Sequence, residues 1–205
     1  VARQMEKFYQ SARWEFVLML GDNIYDEGEP RFFDAKFKNV YRNLMQAGVR
    51  FHATLGNHDC VHPLSRKGMV QVEDPAFGFI GGQDEYALEA GPQVEGKTLA
   101  RFIALNSGAW LEELPDSKRI ETRLSRLRAW LAESDRFHWN FAYFHNPLYS
   151  FVVSKSRLFG FFTGGYGHGP EEQLRRLLEP ELKGRVQAVF SGHEHFYQKI
   201  RPQNG

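Results

Sequence analysis

Four short motifs along the chain contain the residue types that bind metal ions. They are Gly21-Asp22-Asn23-Ile24-Tyr25, Gly56-Asn57-His58-Asp59, Ala142-Tyr143-Phe144-His145 and Ser191-Gly192-His193-Glu194-His195. A carboxylate has two oxygens and can bridge two metals, and a neutral imidazole nitrogen is the commonest metal donor. Two adjacent ions make water a nucleophile and clamp a phosphoryl group. Together the motifs predict a hydrolytic centre with two metal ions.

Each motif taken singly has a plainer interpretation. Asp22 could cap a turn while Tyr25 packs its ring, and His145 could be a hydrogen-bonded core residue. The last two histidines could share one face of a strand or be solvated in a loop. However, four of the eight histidines fall in these motifs, each just after a predicted strand: His58, His145, His193 and His195. This shared context favours the joint metal-site interpretation.

Apolar runs that predict buried strands precede the motifs. They are residues 16–20, 51–55, 101–105, 139–144 and 186–190. Ligand-type residues follow strand after strand, at the carboxyl ends where open α/β sheets place their sites. The runs alternate with helical segments, so the pattern predicts an α/β class.

Helical spacing of apolar residues predicts three helices. The first runs from Phe33 to Met45 with Gly48 as its stop, and the third opens at Pro170 and ends at Pro180. The second carries its apolar face on Ile120, Leu124, Leu127 and Leu131. The segment from Asp74 to Gly96, rich in glycine, proline and acids, is predicted as a loop or an irregular hairpin.

Bulk properties exclude several classes. The 205 residues suffice for one domain with a sizeable core. The formal net charge of +1 gives no broad electrostatic case for nucleic acid or an acidic membrane surface. No apolar run is long enough to span a bilayer. The single cysteine, Cys60, excludes an intrachain disulfide, and a small packing residue is its simplest interpretation.

The four motifs in this order resemble those of the calcineurin-like metallophosphoesterases. Tyr25 brings the chain nearest to the purple acid phosphatases, because other members of the superfamily generally lack that tyrosine. The resemblance runs from Phe16 to about Pro202. It implies a β-sandwich of two mixed sheets flanked by helices (αββα), with residues 1–205 forming a single catalytic domain.

The resemblance also implies a role for each motif residue. Asp22 bridges both ions, Tyr25 and His195 bind the first ion, and Asn57, His145 and His193 bind the second. The first ion is typically Fe(III), and the second Zn(II), Mn(II) or Fe(II). His58 is implied as an outer-shell histidine near the leaving group. His168 resembles a further outer-shell histidine, although a solvent-exposed loop histidine is an equal alternative.

The implied activity is hydrolysis of phosphate esters, and of phosphomonoesters in particular, by in-line attack of a metal-bound hydroxide. The implied partner is a small phosphate ester, with neither nucleic acid nor membrane. One alternative is a phosphodiesterase or nucleotide pyrophosphatase on the same metal core. Another is a non-catalytic protein that binds a metal or a partner. The compartment and the oligomeric state stay open, although purple members are often secreted or periplasmic.

One departure from the family pattern bears on the first ion. No Asp-x-Gly or Asp-x-His motif precedes Asp22, and the expected closing strands after His195 are absent. The chain is therefore expected to be truncated at both ends, or its first site to be degenerate. In either case it offers the first ion only three of the expected ligands, which predicts weak binding of that ion.

Overall fold

The chain forms the predicted α/β fold in a computed structural model, which describes residues 1–60, 67–151 and 171–202. Its strands are β1 (Phe16–Met19), β2 (Arg50–Ala53), β3 (Tyr86–Val94), β4 (Lys97–Ala104), β5 (Phe137–Phe144) and β6 (Ala188–Ser191). Its α-helices are α1 (Ala2–Ser11), α2 (Arg42–Gln46), α3 (Lys67–Glu73), α4 (Ser107–Glu112), α5 (Ser117–Ala132) and α6 (Glu172–Leu182). All five predicted strands are confirmed, with ends that shift by a few residues.

The strands form two sheets. β1 and β2 pair in parallel, with Phe16 opposite Arg50. The second sheet has the order β3-β4-β5-β6, in which β3 and β4 are antiparallel and the other pairs are parallel. The mixed character of the predicted sandwich therefore lies in the four-stranded sheet, whereas the described part of the smaller sheet is purely parallel.

The two sheets pack against each other through apolar side chains and a few buried hydrogen bonds. The rings of Phe16 and Phe102 meet edge to face with centroids 5.5 Å apart. Tyr86 Oη donates to the carbonyl oxygen of Ala53 at 2.7 Å, and Thr54 Oγ1 donates to that of Leu105 at 2.6 Å. Each bond gives a backbone oxygen inside the core a hydrogen-bond partner from the other sheet or its following loop.

Helices α4, α5 and α6 cover the other face of the four-stranded sheet. The four predicted α5 residues, Ile120, Leu124, Leu127 and Leu131, are all buried there. They pack with Ile103 and Phe144 of the sheet and with Trp110 of α4. Each such burial contributes about 1.5–3 kcal/mol, so this layer anchors the strands whose ends carry the ligand residues.

The predicted helix from Phe33 to Met45 is wrong as one continuous element. The segment contains a π-helical turn, Asp34–Lys38, followed by α2. The N–H of Asn39 donates to the carbonyl of Asp34, five residues back. This wider turn shifts the helical phase, so Val40 is exposed while Phe37 and Leu44 are buried. Gly48 follows the end of α2 with a φ of 89°, as its predicted role as a stop requires.

Two further predictions are corrected in part. Pro180 lies inside α6 instead of ending it, because Leu178 and Leu182 on either side are buried in the core. Within the segment from Asp74 to Gly96, the hairpin alternative is confirmed by β3, whose pairing with β4 is irregular between Ala90 and Gln93. Pro170 lies outside the described residues.

Among the described residues, no helix combines the length and the apolar character needed to cross a bilayer.

Candidate metal centre

The predicted ligand residues follow the carboxyl ends of four strands. Asp22 and Tyr25 come after β1, Asn57 after β2 and His145 after β5, and the loop that begins at Gly192 comes directly after β6. Parallel strands bring their carboxyl ends to one edge of a sheet, where α/β folds place their sites. The polar side chains of distant motifs are thereby gathered on one side of the molecule.

Three of these side chains meet at His145. We call Asn57, His145 and His193 the His145 group. Nε2 of His145 lies 2.9 Å from Oδ1 of Asn57 and 2.9 Å from Nδ1 of His193. The same nitrogen lies 3.3 Å from Oδ2 of Asp22, and the His145 side chain is only 1% exposed. The surrounding protein therefore determines the position of this ring.

The other ring nitrogen of His145 fixes its tautomer. Nδ1 lies 2.8 Å from the carbonyl oxygen of Leu20, which can only accept, so Nδ1 carries the hydrogen and donates it. In the neutral ring, Nε2 then presents a lone pair to the acceptor oxygens of Asp22 and Asn57. Lone pairs gathered in this way repel one another unless a proton or a cation lies among them.

The chemistry of this donor set fits a divalent metal ion. Asp22, His145 and His193 offer donor atoms that all lie within 4.8 Å of one another. Imidazole nitrogens with carboxylate and carbonyl oxygens suit Zn(II), Fe(II) and Mn(II). The second ring nitrogen of His145 is held by a backbone carbonyl, which is the usual way in which proteins orient a metal-binding histidine.

Tyr25 and His195 form a second group on the same carboxylate, and we call them the Tyr25 group. Oη of Tyr25 donates to Oδ2 of Asp22 at 3.1 Å and lies 3.3 Å from Nε2 of His195. Both groups therefore approach one oxygen of Asp22. Tyr25 is 38% exposed and His195 is also exposed. A phenol oxygen beside a carboxylate and an imidazole fits a hard cation such as Fe(III).

Charges at the centre favour an ionised Asp22 beside a neutral Tyr25. Burial raises the pKa of Asp22, but a His145 ring that carries a proton on Nε2, through its hydrogen bond and charge, and the backbone N–H of His58 outweigh it and hold the pKa at about 2. Burial, followed by the negative charge of Asp22, raises the pKa of Tyr25 to about 12. The protein thus concentrates negative charge on the shared carboxylate.

Three glycines allow the backbone to approach the His145 group closely. A Cβ on Gly21 would lie 2.6 Å from Nδ1 of His145, and one on Gly56 would lie 2.3 Å from Oδ1 of Asp22. A Cβ on Gly192 would lie 2.5 Å from the carbonyl oxygen of Leu20. The glycine that precedes the ligand in three of the motifs is therefore a steric requirement of the site.

Two of the predicted ligands have a strained backbone. Asp22 has a φ of 53° and His193 a φ of 66°, in the left-handed region that side chains other than glycine rarely adopt. Such conformations cost about 1–3 kcal/mol and collect at functional sites. The histidines of the last motif lie in a loop and not on a strand, because β6 ends at Ser191. Within this loop, His193 contacts His145 and His195 contacts Tyr25.

His58 lies beside the shared carboxylate without contacting it through its ring. Its backbone N–H donates to Oδ1 of Asp22 at 3.0 Å, and Nδ1 of its ring is 2.6 Å from the carbonyl oxygen of Asp26. The ring centroid lies 4.6 Å from that of Tyr25. Because Nδ1 donates to a carbonyl, Nε2 is the ring atom left to exchange a proton.

Asp59 is a residue whose role the sequence pattern did not reveal. Its carboxylate is fully buried and accepts hydrogen bonds from the backbone N–H groups of Asn23, Ile24 and Gly56 and from Nε2 of Gln71. The available signal was a carboxylate directly after the Asn57-His58 pair. Charged side chains are rarely buried without partners, and no local pattern in the sequence indicates that this carboxylate is buried.

Two other residues of the sequence analysis are outside the site or outside the described chain. Cys60 is half-buried and packs in the core, where its Sγ would lie 2.5 Å from a Cβ on Gly68. Burial raises the pKa of its thiol to about 12, which disfavours the reactive thiolate. His168 lies outside the described residues, and its role stays a prediction.

Comparison with protein families gives a match over nearly the whole chain. The model described as calcineurin-like phosphoesterase matches residues 2–197. Tartrate-resistant acid phosphatase type 5 of Oryctolagus cuniculus is 25% identical over 219 residues, covering 100% of this chain and 62% of that protein. Purple acid phosphatase 7 of Arabidopsis thaliana is 27% identical over 218 residues, covering 98% of this chain and 60% of that protein. The chain thus spans about three fifths of the length of these relatives.

A solved structure has a similar fold. It is described as GAP50, the anchor in the inner membrane complex of Plasmodium, and it matches with a TM-score of 0.72. The match covers 94% of this chain and 60% of that chain at 20% sequence identity. At this identity the likeness shows the fold alone.

Proposed function

Because the chain belongs to the calcineurin-like phosphoesterase family, we propose that it hydrolyses phosphate esters, and phosphomonoesters in particular. The observation that carries the proposal is the approach of two donor groups to one oxygen of Asp22, through His145 Nε2 at 3.3 Å and Tyr25 Oη at 3.1 Å. The choice of monoesters is supported by relatives named as acid phosphatases.

Family membership and these relatives imply a binuclear metal centre. In the proposal, the His145 group would hold one ion, the Tyr25 group would hold the other, and Asp22 would contribute its carboxylate to both. We assign Fe(III) to the Tyr25 group, because a phenol oxygen suits a hard ion, and Zn(II), Mn(II) or Fe(II) to the His145 group. When bound, the two ions supply positive charge that binds phosphoryl oxygens and makes a water molecule nucleophilic near neutral pH.

The protein's own residues orient this centre and supply a proton. The Leu20 carbonyl holds the His145 ring in the tautomer whose Nε2 is free for a cation. The Asp26 carbonyl holds the His58 ring in the same way through Nδ1, at 2.6 Å. A protonated His58 can then donate from Nε2 to the leaving alkoxide, the role of a general acid. The proposed substrate is a small phosphate ester.

The test compares a monoester with a diester of the same leaving group. The protein is stripped of metal, reloaded with Zn(II), Mn(II) or iron, and assayed with p-nitrophenyl phosphate and bis-p-nitrophenyl phosphate. We expect turnover that depends on the added metal and is faster for the monoester. Faster turnover of the diester would replace the monoesterase assignment with a phosphodiesterase. No turnover of either ester, with both ions bound, would contradict the proposed function.

A chiral phosphate monoester tests the direct attack. One displacement by water inverts the configuration at phosphorus, whereas a covalent phosphoryl-enzyme intermediate gives two inversions and net retention. We expect inversion. Retention would exclude direct attack and would require a nucleophilic side chain at the site.

A further inference from the structure

The two loops that carry Asp22 and Asn57 are joined by one buried carboxylate. Oδ2 of Asp59 accepts from the N–H of Asn23 at 3.1 Å and from that of Gly56 at 2.9 Å. These two donors are the backbone groups directly after Asp22 and directly before Asn57. A single oxygen atom therefore connects the two ligand residues through their own main chains.

The other oxygen of Asp59 extends this connection to α3. Oδ1 accepts from the N–H of Ile24 at 3.1 Å and from Nε2 of Gln71 at 2.7 Å. Gln71 is itself fully buried, and its Oε1 accepts from Nδ2 of Asn23 at 3.2 Å. The same Nδ2 also donates to the carbonyl of Thr54 at 2.9 Å. The two loops and α3 thus form one hydrogen-bonded unit.

This unit restrains a strained residue. Asp22 has a φ of 53°, a conformation that persists only when surrounding contacts enforce it. Two of the four bonds to Asp59 come from the residues immediately after Asp22. Without them the loop can relax toward ordinary backbone angles, which moves the Asp22 carboxylate away from the His145 group.

From this geometry we propose that Asp59, supported by Gln71, is a positioning residue that sets the distance between Asp22 and Asn57 and thereby the metal affinity of the His145 group. The inference rests on the metal centre assigned under the proposed function. It requires only that the site binds a metal ion, so zinc binding tests it separately from ester hydrolysis.

The main test replaces Asp59 by asparagine, which keeps the shape of the side chain. One of its two acceptor oxygens becomes an NH₂ group that faces N–H donors. We expect Asp59→Asn to weaken Zn²⁺ binding by about 10–100-fold, as measured by competition with a chromogenic chelator, because outer-shell partners typically affect metal affinity by this factor. Circular dichroism confirms that the compared samples are folded.

Asn140→Ala is the matched control for a general loss of stability. Asn140 is 3% exposed, accepts from Nε of Arg101 at 3.1 Å and donates to the carbonyl of Ser134 at 3.0 Å. It lies in β5, five residues before His145 and hence about 16 Å away along an extended strand. We expect it to lower Tm at least as much as Asp59→Asn and to leave zinc affinity within about threefold of the parent.

A double variant tests whether the hydrogen bond to Gln71 transmits the effect. In Asp59→Asn combined with Gln71→Glu, the new NH₂ group can donate to the new carboxylate, which restores both the bond and the charge. We expect the double variant to recover a substantial part of the lost zinc affinity. A general packing defect at Asp59 would not be repaired by a second polar change.

Three results would overturn the proposal: unchanged zinc affinity in folded Asp59→Asn, an equal loss in Asn140→Ala, or no recovery in the double variant.

If Asp59→Asn does not fold, Gln71→Met replaces it, since this change removes only one of the four bonds to Asp59. We then expect a fall in zinc affinity of about 3–10-fold, and an unchanged affinity overturns the proposal. A protein that binds zinc but hydrolyses no ester contradicts the proposed function and leaves the positioning role standing.

Discussion

The His145 group and the Tyr25 group meet on the same carboxylate but are built differently. His145 is 1% exposed, is held by the Leu20 carbonyl and lies 2.9 Å from two other donors. Tyr25 is 38% exposed and lies 3.1 and 3.3 Å from its two partners. The ring at the centre of the first group is fixed by main chain and by close glycines, whereas both side chains of the second group are exposed and extend from loops.

Because of this difference, we expect the two halves of the centre to differ in metal affinity. A site whose ligands are held in place by the fold loses little conformational entropy when it binds, whereas exposed side chains must be ordered first. Among the described residues, the His145 group also has three side chains beside Asp22, whereas the Tyr25 group has two. We therefore expect the His145 group to fill first as metal is added to the stripped protein.

The largest expected effect comes from removing His145, the buried residue at the centre of the His145 group. A structural zinc site contributes about 10–16 kcal/mol over four ligands, or about 2.5–4 kcal/mol for each. His145→Ala should therefore weaken the tighter zinc site by about 100–1,000-fold in a chelator competition. His52→Leu is the control, because His52 is likewise a buried histidine but lies within β2, outside the site. Equal losses in the two variants would contradict the assignment of His145.

Removing His58 should affect turnover and not metal content. We expect His58→Ala to lower kcat by about 100-fold, the lower end of what a general acid contributes. Elemental analysis should still give the same number of ions per chain. His138→Ala is the control. His138 lies near the start of β5, and its Nε2 is 2.7 Å from the carbonyl oxygen of Val94 at the end of β3, away from the carboxyl ends of the parallel strands. An unchanged kcat in His58→Ala would contradict the assignment of His58 as the general acid.

A smaller effect on zinc affinity is expected when a methyl group is added beside the His145 group and no ligand is removed. In Gly56→Ala the new methyl group would lie 2.3 Å from both the backbone nitrogen and Oδ1 of Asp22, so the ligand loop must move. We expect zinc affinity to fall by about tenfold or more. Gly108→Ala provides the control, because its nearest contact would be an ordinary 3.6 Å. Equal zinc affinity in the two variants would show that close packing at Gly56 does not set the site.

The smallest effect on zinc affinity is expected in the Tyr25 group. Tyr25→Phe removes a half-exposed phenol that donates one hydrogen bond to Asp22. A hydrogen bond to a charged group contributes about 1.5–3 kcal/mol, but this one is partly exposed and lies outside the His145 group, so zinc binding by that group should change by less than about tenfold. In the iron-loaded protein, the visible phenolate-to-iron charge-transfer band should disappear. Tyr197→Phe, at a 91% exposed position, should keep the band.

A result opposite to this order would reverse the comparison. If Tyr25→Phe weakens zinc binding more than His145→Ala, the Tyr25 group is the tighter site and the burial of His145 does not govern zinc affinity. If the iron-loaded parent protein has no colour, the purple assignment of the Tyr25 group is wrong, although a phosphoesterase with another metal pair remains compatible with the family.

Parts of the fold were readable from the sequence because local patterns encode them. The apolar face of α5 and the five strand cores depend only on the spacing of side chains, which a sequence displays directly. The π-helical turn at Asp34–Lys38 and the continuation of α6 through Pro180 were not readable. In both cases the packing of distant residues overrides a local preference.

The residue types available for metal chemistry, and the glycines that precede them, can be read from the sequence alone. The order of the motifs after successive strands predicted that Asp22, Asn57, His145 and His193 would lie at one edge, where the structure places them. How the donors divide into the His145 group and the Tyr25 group, and which oxygen of Asp22 they share, follows from the tertiary structure. The tertiary structure also decided that Asp59 joins the two loops, because burial and hydrogen-bond partners arise from chain segments that are distant in sequence and meet only in the folded protein.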